Sequence, residues 1–351
     1  MNKSSHRLSA VAAAALLSQL GTAHADLNTT LYGAIGLDVV SASKVYTNGK
    51  SGSVVKIDDN AIVNSRFGIK GGEDLGGGLN AVFGLESSIK PDTGAGGGGT
   101  FWNRGAYVGA TGGFGSLKLG HQWDVADDYM GKYFVFAYYS PFFFDGFGSL
   151  SNYYDNAIKY NSPNMGGFEG GVFYSAGEQA GHSSAGQFYQ ATGTYTAGPF
   201  SAGLTLSTDK DPNGGSKGNV MYAGGLAYNF GVVNARLGLA RADVNYAYNS
   251  STKLSDYSGA YKANLIDLGV DVPLSNELSA SVDYVSKDKK SSDDDTSFLR
   301  FQGSYKLSKR TSLNANVIFL KNSGNASFAW YGDGAPGQKQ TILTAGITHS
   351  F

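Results

Sequence analysis

Residues 64–86 read NSRFGIKGGEDLGGGLNAVFGLE, and seven of them are glycine. Two readings compete for the central GGEDLGGG: a loop that cradles a phosphate, or the turn of a hairpin. The flanks decide. Val63, Phe67 and Ile69 alternate with Asn64, Arg66, Gly68 and Lys70, and Leu79, Ala81, Phe83 and Leu85 alternate with Asn80, Val82, Gly84 and Glu86. A period of two means a strand on each side. A phosphate loop needs a helix N-terminus after its glycines, with GK[ST] or GxGxxG spacing, and neither is present. The segment is a hairpin whose one face is apolar and whose other face carries Arg66, Lys70 and Glu86.

Working outward, residues 1–25 stand apart. Lys3 and Arg7 precede the apolar run LSAVAAAALL, and Ala23-His24-Ala25 precedes Asp26. That order reads as a secretory signal peptide cleaved after Ala25. The run is too short for a spanning helix, which needs about 20 apolar residues. The remainder, 26–351, reads as a single domain without a linker. It has 0 Cys, so neither disulfides nor thiolate metal sites are available. With 51 Gly, 22 Tyr and 20 Phe against 7 Pro, the composition favours many strands and tight turns. A net charge of −1 excludes a globally basic nucleic-acid binder.

Read for alternation, the chain repeats a rhythm of tight turn, strand, long polar loop and strand. The tight turns are expected at Gly72–Gly77, Gly112–Phe114, Pro163–Gly167, Ala197–Pro199, Asn229–Gly231, Pro273–Asn276 and Leu307–Arg310. The long loops are expected at 41–61, 90–100, 124–155, 177–187, 208–217, 242–258, 287–294 and 321–339. Seven turns and eight loops join sixteen strands, an even number with short connections at one end and long ones at the other, which is the layout of a transmembrane β-barrel. Faces agree with that count. Phe200, Ala202, Leu204 and Leu206 suit lipid, and Ser201, Gly203, Thr205 and Ser207 suit water. Tyr107, Tyr160, Tyr174, Tyr195, Tyr228, Phe230 and Tyr305 lie near strand ends, where amphipathic rings belong at membrane interfaces. A soluble β-sandwich or propeller would alternate too, but with shorter loops at both ends.

The stretches SRFGIKGGEDLGGGLNAVFGLE, NRGAYVGATGGFGSLKLGHQWD and NAIKYNSPNMGGFEGGVFYSAGE, with the terminal GITHSF, resemble the trimeric general porins of Gram-negative outer membranes, in particular their beta-proteobacterial branch. The resemblance spans the whole mature chain. It implies an all-β, 16-stranded antiparallel transmembrane β-barrel with an inward-folded third loop, assembled as a homotrimer among outer-membrane lipid and lipopolysaccharide. It also implies that Phe351 is the assembly signal read by the barrel-insertion machinery. The expected activity is passive passage of ions and small hydrophilic solutes; a substrate-specific channel for aromatic or amphipathic solutes is the alternative. No cofactor, no metal and no nucleic acid is expected.

In such porins a basic cluster on the wall faces acids on the third loop. Arg66 and Arg104 match two of the usual basic positions. Arg66 lies seven residues before Glu73, about 16 Å of depth at ~3.3 Å per residue and a ~45° tilt, which places it at mid-barrel. Arg104 is taken as inward because Gly105 and Tyr107 are assigned to the lipid face. The third usual arginine is replaced by Tyr153, and Lys159 partly takes its place nearer the periplasmic end. Asp124, Asp127, Asp128 and Asp145 are the candidate acids of the loop, which is crowded with rings from Tyr129 to Phe147. Catalysis has little to build on: His121 with Ser116 or Asp124 is the one sketch of a nucleophile and base.

Overall fold

The computed structural model describes residues 28–97, 99–135, 152–215, 217–249, 254–256, 260–290 and 292–351. The expected leader, Asp145 and the rings from Phe136 to Phe147 lie outside the described residues.

One antiparallel sheet gathers eighteen strands. Two of them, Lys50–Asp59 and Arg66–Gly76, are halves of one wall strand, because the former pairs with the second half of the first strand, Asn28–Thr47, and the latter with its first half. Another, Ala95–Gly96, has two residues and belongs to a loop. Sixteen wall strands remain. The last, Lys339–Ser350, pairs with the first from Ala34↔Ser350 to Ala42↔Ile342, which closes the sheet into a barrel. Closure leaves no unpaired edge. At the seam Phe351 N donates to Gly33 O at 3.0 Å and Gly33 N returns a bond to Phe351 O at 3.2 Å.

Side-chain alternation sorts the two faces. On strand Phe200–Asp209, outward Leu204 is 71% exposed while inward Ser207 is 1% exposed. Rings gather at both ends of the outer face: Phe168 with Tyr195 and Tyr228 with Phe230 beside the tight turns, Tyr174 with Tyr189 near the long loops. Tyr107 breaks the expected girdle. Register sets Gly84 opposite Tyr107 and Glu86 opposite Gly105, so both share the lumen face of Glu86. Val108 is the outward residue there.

The expected loop 41–61 is also mostly strand. Asn48 and Gly49, at φ 51° and 74°, turn the chain between Thr47 and Lys50. A two-residue Asn-Gly turn suits the twist of a hairpin because both central residues take positive φ. The return strand then breaks between Asp59 and Arg66, where side chains replace ladder bonds. Ala61 N donates to Asp38 Oδ2 at 2.9 Å, and Gly36 N donates to Ser65 Oγ at 2.9 Å. The strand resumes at Arg66, opposite Ala34, partway along the longer first strand.

Two loops fold inward. The third begins with the short helix Val125–Tyr129 and a 3-10 turn, Met130–Lys132, laid along the inner wall. The last loop brings Trp330 against inward Phe298, with ring centroids 5.5 Å apart, and its Tyr331 carbonyl accepts from Gln340 Nε2 at 2.9 Å. Inward Ile318 and Ile342 are buried in the same apolar cluster. A purely water-lined inner face was expected; the infolded loops supply apolar partners that strand parity cannot reveal.

Candidate channel constriction

Arg66, Arg104 and Glu86 meet on one sector of the lumen wall. Arg104 Nε lies 2.6 Å from Glu86 Oε1, and Arg66 Nε lies 3.7 Å from Glu86 Oε2. Tyr32 donates its hydroxyl to Glu86 Oε2 at 2.9 Å. One carboxylate thus serves two guanidinium groups and a phenol. The sequence placed Glu86 on the polar face of the hairpin but gave it no role. Its shared parity with Arg66 on adjacent strands was the signal, since Glu86 pairs with Gly68, two residues along the strand from Arg66.

Arg104 reaches the lumen for a different reason from the expected one. It precedes the strand Gly105–Gly112, so strand alternation does not govern it. Its amide donates to Glu86 O at 3.1 Å, which anchors the residue at the strand mouth and lets the side chain turn in. The guanidinium lies 5.5 Å from the Trp123 ring and 5.8 Å from the Tyr153 ring, within cation–π range. Tyr153 therefore stands where the sequence comparison expected a third arginine, and it offers Arg104 a ring instead of a like charge.

The remaining expected residues are elsewhere. Lys159 is buried and its Nζ lies 2.9 Å from Asp128 Oδ2, which also accepts from Asn161 Nδ2 at 2.8 Å. Asp124 is fully buried, and its Oδ1 accepts from Asp127 N at 3.0 Å as the cap of the loop helix. Its other oxygen accepts from Asn152 N at 3.2 Å. Burial pushes the Asp124 carboxyl up to about 7, with the two amide bonds working against that shift. Asp127 is half-buried on the same helix turn. Phe351 sits at the seam with its ring over Gly33. His121 pairs with Asp155 at 2.6 Å and with Asn103 O at 3.1 Å, rather than with Ser116 or Asp124.

Closed sixteen-strand wall, inward third loop and an arginine-bearing sector of the lumen together describe a channel. A family profile for Gram-negative porins matches residues 9–325. The chain belongs to the Gram-negative porin family. Outer membrane porin protein 32 of Delftia acidovorans is 30% identical to this porin over 97% of its chain and 98% of the relative. An outer membrane porin of Bordetella pertussis is 28% identical over 97% and 99%. Among solved structures, an anion-selective porin from Comamonas acidovorans superposes with a TM-score of 0.80 at 28% identity, covering 93% of this porin and 100% of that chain. Salmonella typhi OmpF, at 16% identity and a TM-score of 0.66, shares the fold. This protein is an outer-membrane diffusion channel.

Proposed function

We propose that the channel passes small hydrophilic solutes through a constriction whose wall charges favour anions. The observation that carries this reading is the two-to-one ratio of Arg66 and Arg104 to Glu86 on the lumen wall, one positive charge more than that carboxylate balances. Of the acids on the loop helix, Asp124 is buried in a cap and Asp128 is matched by Lys159, which leaves half-buried Asp127 as the loop acid that acts on this sector. A low-dielectric wall keeps such a field from being fully screened. The Comamonas relative is described as anion-selective, which agrees in sign. The reversal potential of the purified porin in a salt gradient tests the reading, and a cation preference would overturn it.

The cluster of Arg104 with the tilted rings of Trp123 and Tyr153 supports a second reading, a channel that retains planar solutes. Saturating, solute-dependent block of ion current by an aromatic acid would favour it; current linear in salt with no block would reject it. Infolding loops and arginines serve permeation, so we assign no catalysis. We further propose that the mature chain begins at Asp26, that it assembles as a homotrimer in outer-membrane lipid and lipopolysaccharide, and that the insertion machinery reads Phe351. N-terminal sequencing and native mass in detergent check the first two.

A further inference from the structure

The third loop can lie flush on the wall only where the wall has no side chains. Register makes Gly203, Gly225, Gly238 and Asp267 successive partners across four neighbouring strands. All four face inward, on the parity of buried Ser201 and opposite to exposed Leu204. Consecutive loop residues occupy this row. Tyr133 covers Gly203 and Gly225, Phe134 covers Gly238, and the Val135 amide donates to Asp267 Oδ2 at 2.6 Å. The Tyr133 hydroxyl reaches Ser201 Oγ at 2.5 Å, which fixes the ring across the two glycines.

Space, not backbone conformation, demands glycine here, because none of the three has a positive φ. A methyl group on Gly203 would stand 2.5 Å from Tyr133 Cε2, and one on Gly238 would stand 2.6 Å from Phe134 Cδ1. One on Gly225 would overlap Tyr133 Cβ and Cγ. Glycine weakens a strand interior and usually marks the close approach of other atoms. Here the approaching atoms belong to the loop that narrows the lumen.

We propose that this glycine row sets the width of the channel. By letting Tyr133 and Phe134 lie on bare backbone, it fixes how far the third loop projects toward the axis, and so the largest solute that passes. The inference rests on the channel reading above and names the wall residues that tune it. Any bulk added to the row pushes the loop off the wall, toward the lumen.

The test is single-channel conductance of the reconstituted full protein, paired with liposome swelling in sugars of graded size. Gly225→Ala and Gly238→Ala are expected to lower conductance roughly 1.5- to 2-fold and to lower the size cutoff, since a close-packed loop transmits the methyl's displacement. Gly193→Ala is the control: it lies on the outer face of the neighbouring strand with open space around it, and wild-type values are expected. Gly238→Ala combined with Phe134→Leu should recover conductance, which a general loss of strand stability would not do. Unchanged or raised conductance in folded Gly225→Ala and Gly238→Ala overturns the proposal. If Gly225→Ala fails to assemble, Gly238→Ala with and without Phe134→Leu decides, and absence of rescue counts against it. Failure of the channel reading itself is distinct, since it would leave the wild type without conductance.

Discussion

Arg104 and Glu86 form the shortest contact of the basic sector, Nε to Oε1 at 2.6 Å, and that pairing leaves Arg66 at 3.7 Å as the less committed guanidinium. The side chain of Arg66 is 32% exposed against 12% for Arg104. On the proposed reading, Arg66 is the charge that solutes meet and Arg104 the one that holds the carboxylate in place.

Removing Arg66 should shift selectivity toward cations. A unit charge about 6 Å from the solute path in water is worth ~0.7 kcal/mol, of opposite sign for an anion and a cation, so about threefold for each and about tenfold in the anion-to-cation ratio. Arg66→Ala is expected to lose roughly that factor, and Glu86→Gln to gain a similar one. Reversal potentials at low salt check both, because screening at high salt shortens the reach of the field. An Arg66→Ala channel with wild-type selectivity would place the constriction elsewhere.

Asp128 and Lys159 cancel each other at 2.9 Å, so neutralising either one should expose the other. Asp128→Asn is expected to move the reversal potential toward anions, and Lys159→Met toward cations. Because Lys159 is buried, Asp128→Asn leaves it alone at a cost of about 1–3 kcal/mol and should raise open-channel noise, whereas exposed Asp128, left behind by Lys159→Met, keeps its bond from Asn161 and should not. Shifts of the same sign in the two variants would contradict the pairing.

The loop helix should be held more firmly in acid. Asp124 has its carboxyl raised to about 7 by burial, so the docked loop retains a proton that a free chain releases near 4. More protons in the docked state mean stability that is present at low pH and lost as pH rises through about 7, then flat above it. Current noise is expected to increase between pH 5 and pH 8 in the wild type. Asp124→Asn keeps an oxygen for the cap and carries no charge, so its noise should be independent of pH; a rise equal to that of the wild type would refute the assignment.

Phe351 closes the barrel as well as ending it. Its backbone exchanges two bonds with Gly33, and its ring occupies the space a side chain at Gly33 would need. Gly33→Leu and Phe351→Asp should each lower refolding yield in detergent, where no insertion machinery is present. Phe351→Leu should refold well in detergent and lose yield only in cells. Equal losses in both settings would leave the seam, and not recognition, as the whole role of Phe351.

The sequence by itself determined the sixteen-strand wall, its two kinds of connection and the inward placement of Arg66 and Lys159. Strand alternation has a fixed period of two, and turn residues carry their own conformational preferences, so these are local properties legible in order along the chain. Arg104 does turn toward Glu86, but not through the face assignment read from the sequence, which register reversed, because it stands just outside its strand. Tertiary structure alone decided which acids remain in the lumen: Asp124 became a cap and Asp128 a partner of Lys159, contacts between elements that no spacing encodes. The same holds for the glycine row. Gly203, Gly225 and Gly238 look like ordinary strand glycines in sequence, and only closure of the barrel aligns them into one seat for Tyr133 and Phe134.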